Sequence, residues 1–309
     1  MKIFSSEKCN FEEIGSEIKK GKIVAFPTDT VYGLGAHIQD EKAITRIFKV
    51  KDRPLDSPII VLIDDIKRVE EHAYIENPLV WDLMSAFWPG ALTLILPKKS
   101  HINILITANG DSLGLRIPDN DIARELIKNC GGALATPSAN KSGQLSPTRA
   151  EHVIKQFEEN EIDFIIDGGK TKKSIESTIL DMTYNPPLIV RNGGITKEAI
   201  EEIIGSVNEL QEKKKSKNSF SKEIKIIDKK EFSNLPKNSI LLSFGEVKDL
   251  NIKKVEILSK NLDYNEAIEN LYDSLYRLLD EDSPILYVEK LDENGLGKTI
   301  MERIKKIVK

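Results

Sequence analysis

The chain has little of what would mark several common protein classes. Cys9 and Cys130 are its only cysteines, which leaves no disulfide frame, and His37, His72, His101 and His152 stand apart with no CxxC or HExxH spacing for structural zinc. The longest apolar stretches, PIIVLI at Pro58–Ile63 and ALTLIL at Ala91–Leu96, fall far short of the roughly 20 residues of a membrane span. The opening MKIFSSEKCNFEEIG lacks a positive segment followed by an apolar core, so no secretory signal is expected and the cytoplasm is the expected compartment. No GxxxxGK[ST] loop, no GxGxxG after a strand, no GxSxG elbow and no evident general-base histidine are present. GLGKT at Gly295–Thr299 lacks the P-loop spacing and reads as a loop followed by a helix start. Catalysis by positioning and electrostatics is the expectation that survives these exclusions.

What is present is the composition of a soluble globular protein. Hydrophobic residues make up 40% of the 309 residues and charged residues 30%. At about 150 residues per domain, the length points to two domains. A net charge of -4 argues against a protein that mainly grips nucleic acid backbone, so substrates smaller than a duplex fit better.

Helix and strand signals alternate along the chain. Asn10 caps a helix through FEEIGSEIKK, Gly21 ends it, and KIVAFP follows as a strand. Asp40 caps EKAITRIFKVK, in which Ile44, Ile47 and Phe48 recur at helical spacing, and the strand IIVLI comes next. Asn77 and Pro78 open a helix with Leu79, Leu83 and Phe87 on one face, ending at WPG. ALTLIL, SLGLRIP, a helix DIARELIKN, the strand ALATP, a helix from Thr148 to about Phe157 and the strand DFIIDGG continue the α/β pattern. STILDM and PLIVRNGG read as a closing hairpin, and Thr196 caps KEAIEEIIG. The first domain is therefore expected at 1–205, a polar, lysine-rich linker at 206–223, and a small α/β domain at 224–309 with strands at SILLSF and PILYVEK and helices at Tyr264–Leu279 and TIMERIKKIV.

Four segments carry candidate chemistry. PTDTVYGLG at Pro27–Gly35 sets hydroxyls, a carboxylate, a phenol and two glycines at the end of an apolar run, and KDRP at Lys51–Pro54 adds two cations. The pairing suits a small zwitterion beside a polyphosphate. In SLGLRIP, alternation puts Leu115 and Ile117 on one face and Gly114 with Arg116 on the other, so the guanidinium faces either a cleft or, as a snorkelling edge-strand arginine, water. Arg191 in LIVRNGG repeats that pattern. TPSANKSGQLSPT concentrates Thr136, Ser138, Asn140, Ser142 and Ser146 after a strand, enough to wrap phosphate and ribose oxygens or to make a plain polar turn. IESTILD opens a strand with Ser177 and Thr178.

In order, PTDTVYGLG, KDRP with PIIVLI, FWPGALTLIL, LGLRIPD, ATPSANKSGQLSPT, IESTILD and IVRNGG resemble the signature segments of the YrdC-type threonylcarbamoyl-AMP synthases. The tail resembles the extra domain of their long, two-domain form through LDYNEAIENLYDSLYRLLDED and ENGLGKTIMERIKKI. The resemblance implies a YrdC-like twisted mixed α/β sheet with a concave basic face, plus a small C-terminal Rossmann-like α/β domain. It also implies a reaction of L-threonine, bicarbonate or CO2, and ATP to threonylcarbamoyl-AMP and pyrophosphate, with Mg2+ carried on the ATP. The product would pass to a separate tRNA threonylcarbamoyl transferase complex, without tight tRNA binding by this chain.

Carried over residue by residue, the resemblance implies that Thr30, Arg116, Thr136 and Ser177 hold threonine, Arg116 taking the carboxylate as a fork-shaped ion pair. Arg53, Ser57, Ser112, Ser138, Ser146 and Arg191 would surround ATP, with Lys51 and Arg53 as catalytic cations at the phosphates. The chain departs from the family pattern at Ser57, where His or Asn is frequent, and at Leu62, where a histidine is usual. Its linker also lacks the proline-glycine-methionine segment and His-Tyr pair of long forms, so the nucleotide lid is expected to be missing, relocated or built from the second domain. A carbamoyl-phosphate-using homologue is disfavoured because acylphosphatase and zinc-finger regions are missing from the sequence. An RNA-binding factor is disfavoured by the acidic charge and the lack of interleaved aromatics.

Overall fold

Side-chain caps begin four of the main helices, as their sequences indicate. Asn10, Asp40, Asn120 and Thr196 each accept a backbone N–H three residues on, from Glu13, Ala43, Ala123 and Ala199. They start α1 (Phe11–Lys19), α2 (Glu41–Val50), α5 (Asp121–Asn129) and α7 (Lys197–Ile204) in a computed structural model that describes residues 1–210 and 222–308. Between them lie α3 (Val69–His72), α4 (Leu79–Phe87) and α6 (Ala150–Ile154). The helix expected from Thr148 to Phe157 is confined to α6, because its last turn tightens where Gln156 N–H bonds to Val153 O.

The first unit comprises Met1–Ser142, Ser146–Lys172 and the chain from Glu176 to its last strand. Its strands are β1 (Lys2–Ser5), β2 (Val24–Phe26), β3 (Gly33–His37), β4 (Val61–Ile63), β5 (Leu92–Pro97), β6 (Ser112–Arg116), β7 (Ala133–Ala135), β8 (Phe164–Asp167), β9 (Thr178–Asp181), β10 (Leu188–Arg191) and β11 (Asn208–Glu209). They form one twisted mixed sheet in the order β1-β8-β2-β3-β7-β4-β6-β5-β9-β10-β11. The expected hairpin of β9 and β10 is antiparallel, and Asn208–Glu209, expected as solvated linker, instead adds a parallel edge strand to β10 with Val207 buried. Residues 211–221 of the expected linker lie outside the described residues, and Glu223, its expected last residue, instead opens the first strand of the second unit.

Two cores divide the faces of this sheet. Ala25, Val61, Ile63, Leu92, Leu94 and Leu115 point to the larger one, with side chains from α2, α4, α6 and α7. Val24, Phe26, Leu62, Leu134 and Ile166 point the other way, where α1 and α5 bury Ile14, Ile18, Leu126 and Ile127. Successive residues of a strand point to opposite faces, which assigns each of these residues its core.

The second unit groups Gly143–Leu145 and Lys173–Ile175 with the C-terminal part of the chain. Its strands β12 (Glu223–Ile227), β13 (Ile240–Ser243), β14 (Lys254–Ile257) and β15 (Ile285–Glu289) are all parallel, in the order β12-β15-β13-β14. Helices α8 (Tyr264–Leu279) and α9 (Gly295–Ile307) supply the crossover and the final element. GLGKT, expected as a loop before a helix, is instead the first turn of α9. Among the described residues no helix is long and apolar enough to cross a membrane.

Candidate active site

The parallel register of β4 and β6 pairs Val61 with Leu115 and Leu62 with Arg116. Val61 and Leu115 enter the larger core, so Leu62 and Arg116 emerge together on the opposite face. There a cavity of about 160 Å³ opens within the first unit. The 28–33 segment between β2 and β3, the loop before β4, the 136–138 turn after β7, Glu176 and Ser177 before β9, and Arg191 at the end of β10 surround it. Gly33 is there because the chain is close: a Cβ would lie 2.5 Å from Thr136 Cγ2. Gly193 meets a harder limit, since its Cβ would lie 2.3 Å from the Ser177 backbone.

Arg116 is neither on an edge strand nor in water; β6 lies between β4 and β5 and the residue is 2% exposed. Its Nε donates to Gly90 O at 2.8 Å, one Nη to Thr30 Oγ1 at 2.9 Å and the other to the buried carboxylate of Asp29. Since a guanidinium carries five N–H donors, two remain for a ligand. Arg191 donates from Nε to Ser177 O at 3.0 Å and from Nη2 to Ser177 Oγ at 3.1 Å, while Thr93 holds the same hydroxyl at 2.7 Å. Arg53 donates to Pro58 O at 2.9 Å. Burial lowers the Arg53 pKa, and the neighbouring Asp56 carboxylate opposes that shift.

Of the residues singled out in the sequence, Thr30, Arg53, Arg116, Thr136, Ser138, Ser177 and Arg191 line this one cavity. Lys51, Ser57, Ser112 and Ser146 do not. Lys51 is 1% exposed, and its Nζ donates to Ser138 O at 2.5 Å and to Asn140 O, so it braces the 138–140 turn from beneath. Burial, and secondarily the Arg53 charge, hold its pKa well below the usual lysine range. Ser146 acts through a neighbour, donating to Glu176 Oε1 at 2.6 Å. Ser57 offers its carbonyl to Arg53 Nε at 3.4 Å, and Ser112 begins β6 opposite Pro97, four residues from Arg116. The motif phenol also leaves the site: Tyr32 is fully buried and donates to Gly169 O at 2.8 Å.

Sequence reading missed Asp29, Thr93, Glu176 and the apolar residues Val31, Ile60 and Ile179, whereas Leu62, marked there as a departure from the family pattern, does line the cavity. Of those missed, only Asp29 and Glu176 carried a signal, as carboxylates inside quoted motifs. Thr93 sits in an apolar strand and becomes polar machinery only through its β9 neighbour.

Known proteins share this architecture. The Sua5/YciO/YrdC family model, described as "Telomere recombination", matches residues 16–193, and the model described as "Threonylcarbamoyl-AMP synthase, C-terminal domain" matches 207–307. The threonylcarbamoyl-AMP synthase of Pyrococcus abyssi is 46% identical over 191 residues, covering 62% of this chain and 56% of that one. That of Bacillus subtilis is 44% identical over 192 residues, covering 62% and 55%. The chain thus spans little more than half the length of these curated relatives. The crystal structure of P. abyssi Sua5 complexed with L-threonine superposes with a TM-score of 0.88 at 32% identity, covering 99% of this chain and 96% of that one. With a family model matched over more than half its residues and a two-unit structure like that of a solved relative, the chain belongs to the Sua5/YciO/YrdC family.

Proposed function

We propose that this chain is a threonylcarbamoyl-AMP synthase, joining L-threonine, bicarbonate or CO2, and ATP into threonylcarbamoyl-AMP and pyrophosphate. The observation that carries the reading is the convergence of three guanidinium groups, Arg53, Arg116 and Arg191, with the hydroxyls of Thr30, Thr136, Ser138 and Ser177 around one cavity. The names of the curated relatives and the L-threonine complex of P. abyssi Sua5 support it.

In this reading Arg116 takes the threonine carboxylate on its two remaining N–H groups, a charge-assisted contact in a buried setting. Arg53 and Arg191 face the phosphates, and Ser138, on a turn braced by Lys51, adds a hydroxyl there. ATP enters with Mg2+ on its phosphates, since magnesium suits few protein carboxylates plus substrate oxygens. Threonine loses an amine proton, its nitrogen bonds to CO2, and a carbamate oxygen attacks the α-phosphorus as pyrophosphate leaves. The chain supplies orientation and fixed positive charge against the growing charge on pyrophosphate. The product, a reactive mixed anhydride, passes to a separate tRNA threonylcarbamoyl transferase complex.

Pyrophosphate release measured with MgATP, threonine and bicarbonate, each withheld in turn, tests the reading. Dependence on all three is expected; release that ignores threonine overturns it.

A further inference from the structure

The segment after β7 is held at two places. Lys51 holds its first half, with Nζ on Ser138 O and Asn140 O and its own carbonyl accepting from Ser142 N–H at 2.7 Å. Gly143, at φ 82°, then takes the chain through the left-handed region, and Gly143–Leu145 group with α8. There Tyr276 of α8 donates its phenol O–H to Leu145 O at 2.8 Å. Leu145 is buried, and so is Ser146, the residue that follows it.

A carbonyl and the next N–H belong to one planar peptide unit, so Tyr276 fixes the plane from which Ser146 hangs. On the other side of Ser146, Pro147 O accepts from Tyr32 N–H at 2.8 Å and Thr148 O from Thr171 N–H at 2.9 Å. Held from both sides, Ser146 donates to Glu176 Oε1 at 2.6 Å. Glu176 lines the cavity next to Ser177, whose hydroxyl is tied to Arg191. Lys173–Ile175, which lead into Glu176, also group with α8, and Ser174 and Ile175 are fully buried.

We infer that Tyr276 is a positioning residue of the cavity: through Leu145 and Ser146 it sets the place of the Glu176 carboxylate, although Tyr276 is not among the residues that line the site. The inference rests on the proposed synthase reading, whose reaction supplies the readout. Removing the phenol O–H keeps the ring in α8 and releases one carbonyl. The effect is therefore expected in the placement of Glu176 and not in the fold of the helix.

The test is pyrophosphate release by the full chain with MgATP, threonine and bicarbonate, comparing Tyr276→Phe, Ser146→Ala and the double variant, each assayed below its melting temperature. Tyr276→Phe is expected to lower kcat/KM about 2- to 10-fold. Ser146→Ala should lower it at least as much, and the pair no further than Ser146→Ala alone, because both act on one carboxylate. A lower melting temperature with unchanged kcat/KM is what a purely structural tyrosine would give, and it overturns the inference. So does a double variant whose losses multiply. In the wild type, amide hydrogen exchange within α8 is expected to slow when MgATP and threonine bind, since coupling between two sites is reciprocal. Unchanged exchange there overturns the inference even if Tyr276→Phe fails to fold. A wild-type chain that releases no pyrophosphate with all three substrates overturns the synthase reading and this inference together, whereas normal release by Tyr276→Phe overturns the inference alone.

Discussion

At the residue scale the decisive fact is that Arg116 already has a buried counter-ion. Asp29 is 1% exposed and Arg116 2% exposed, so removing one partner strands the other charge. Arg116→Ala is expected to cost about 3–5 kcal/mol of stability and on the order of 10²-fold or more in threonine kcat/KM. Adding Asp29→Asn should restore much of the stability, read by urea unfolding, and none of the turnover. Lys51 gives a second prediction, with its sign fixed by the depressed pKa. Between its folded pKa and the unfolded value near 10.4, the unfolded chain binds more protons, so this lysine's contribution to stability rises with pH by up to about 1.4 kcal/mol per unit. Lys51→Met removes that slope and two hydrogen bonds to the 138–140 turn. As the pH rises toward that unfolded value, the unfolding free energies of the two proteins should diverge in favour of the wild type, and the variant should need more ATP. Arg116 was legible in the sequence because it breaks an apolar alternation beside a glycine. Its engagement by Asp29 was not, since no local pattern says which of a motif's polar groups turns inward.

At the element scale, two loops press backbone against backbone. Gly193 follows β10 and passes the entry to β9, where a Cβ would lie 2.3 Å from Ser177 backbone atoms that cannot swing aside. Gly193→Ala is expected to destabilise by about 1–3 kcal/mol and to weaken threonine and ATP use together, because Ser177 is tied to both Thr93 and Arg191. Steady-state KM values for each substrate, with thermal melting alongside, check this. The helices were the most legible elements: Asn10, Asp40, Asn120 and Thr196 cap by local hydrogen bonds, which sequence spacing encodes directly. Strands such as Lys2–Ser5 and Asn208–Glu209 were not legible. They are short edge elements whose hydrogen bonds come wholly from a partner strand, β8 for one and β10 for the other.

At the scale of the whole molecule, stability depends on carboxylates that tie distant segments. Asp163 accepts from Ile23 N–H at 3.0 Å and Arg46 Nη1 at 2.5 Å, and lies 3.3 Å from Lys22 Nζ, joining the approaches to β8 and β2 with α2. Burial pushes its carboxyl up, but these donors and charges outweigh burial and hold it below the usual range. Its stabilisation is therefore present above the unfolded value near 3.9 and is lost as the pH falls through the folded one. Asp163→Asn is expected to lose about 1–3 kcal/mol at pH 7 and to show a flatter stability curve between pH 5 and 2, measured by urea unfolding across that range. What the sequence by itself determined was local: helix starts, the faces of β6, and the residue types for a zwitterion beside a polyphosphate. Only the tertiary structure decided which of those groups meet. It set Arg116 beside Leu62 and against Asp29, and it turned Lys51 and Tyr32 away from the cavity. The physical reason is that register and burial are set by strand neighbours tens of residues away, and a group's role follows from what those neighbours leave unpaired.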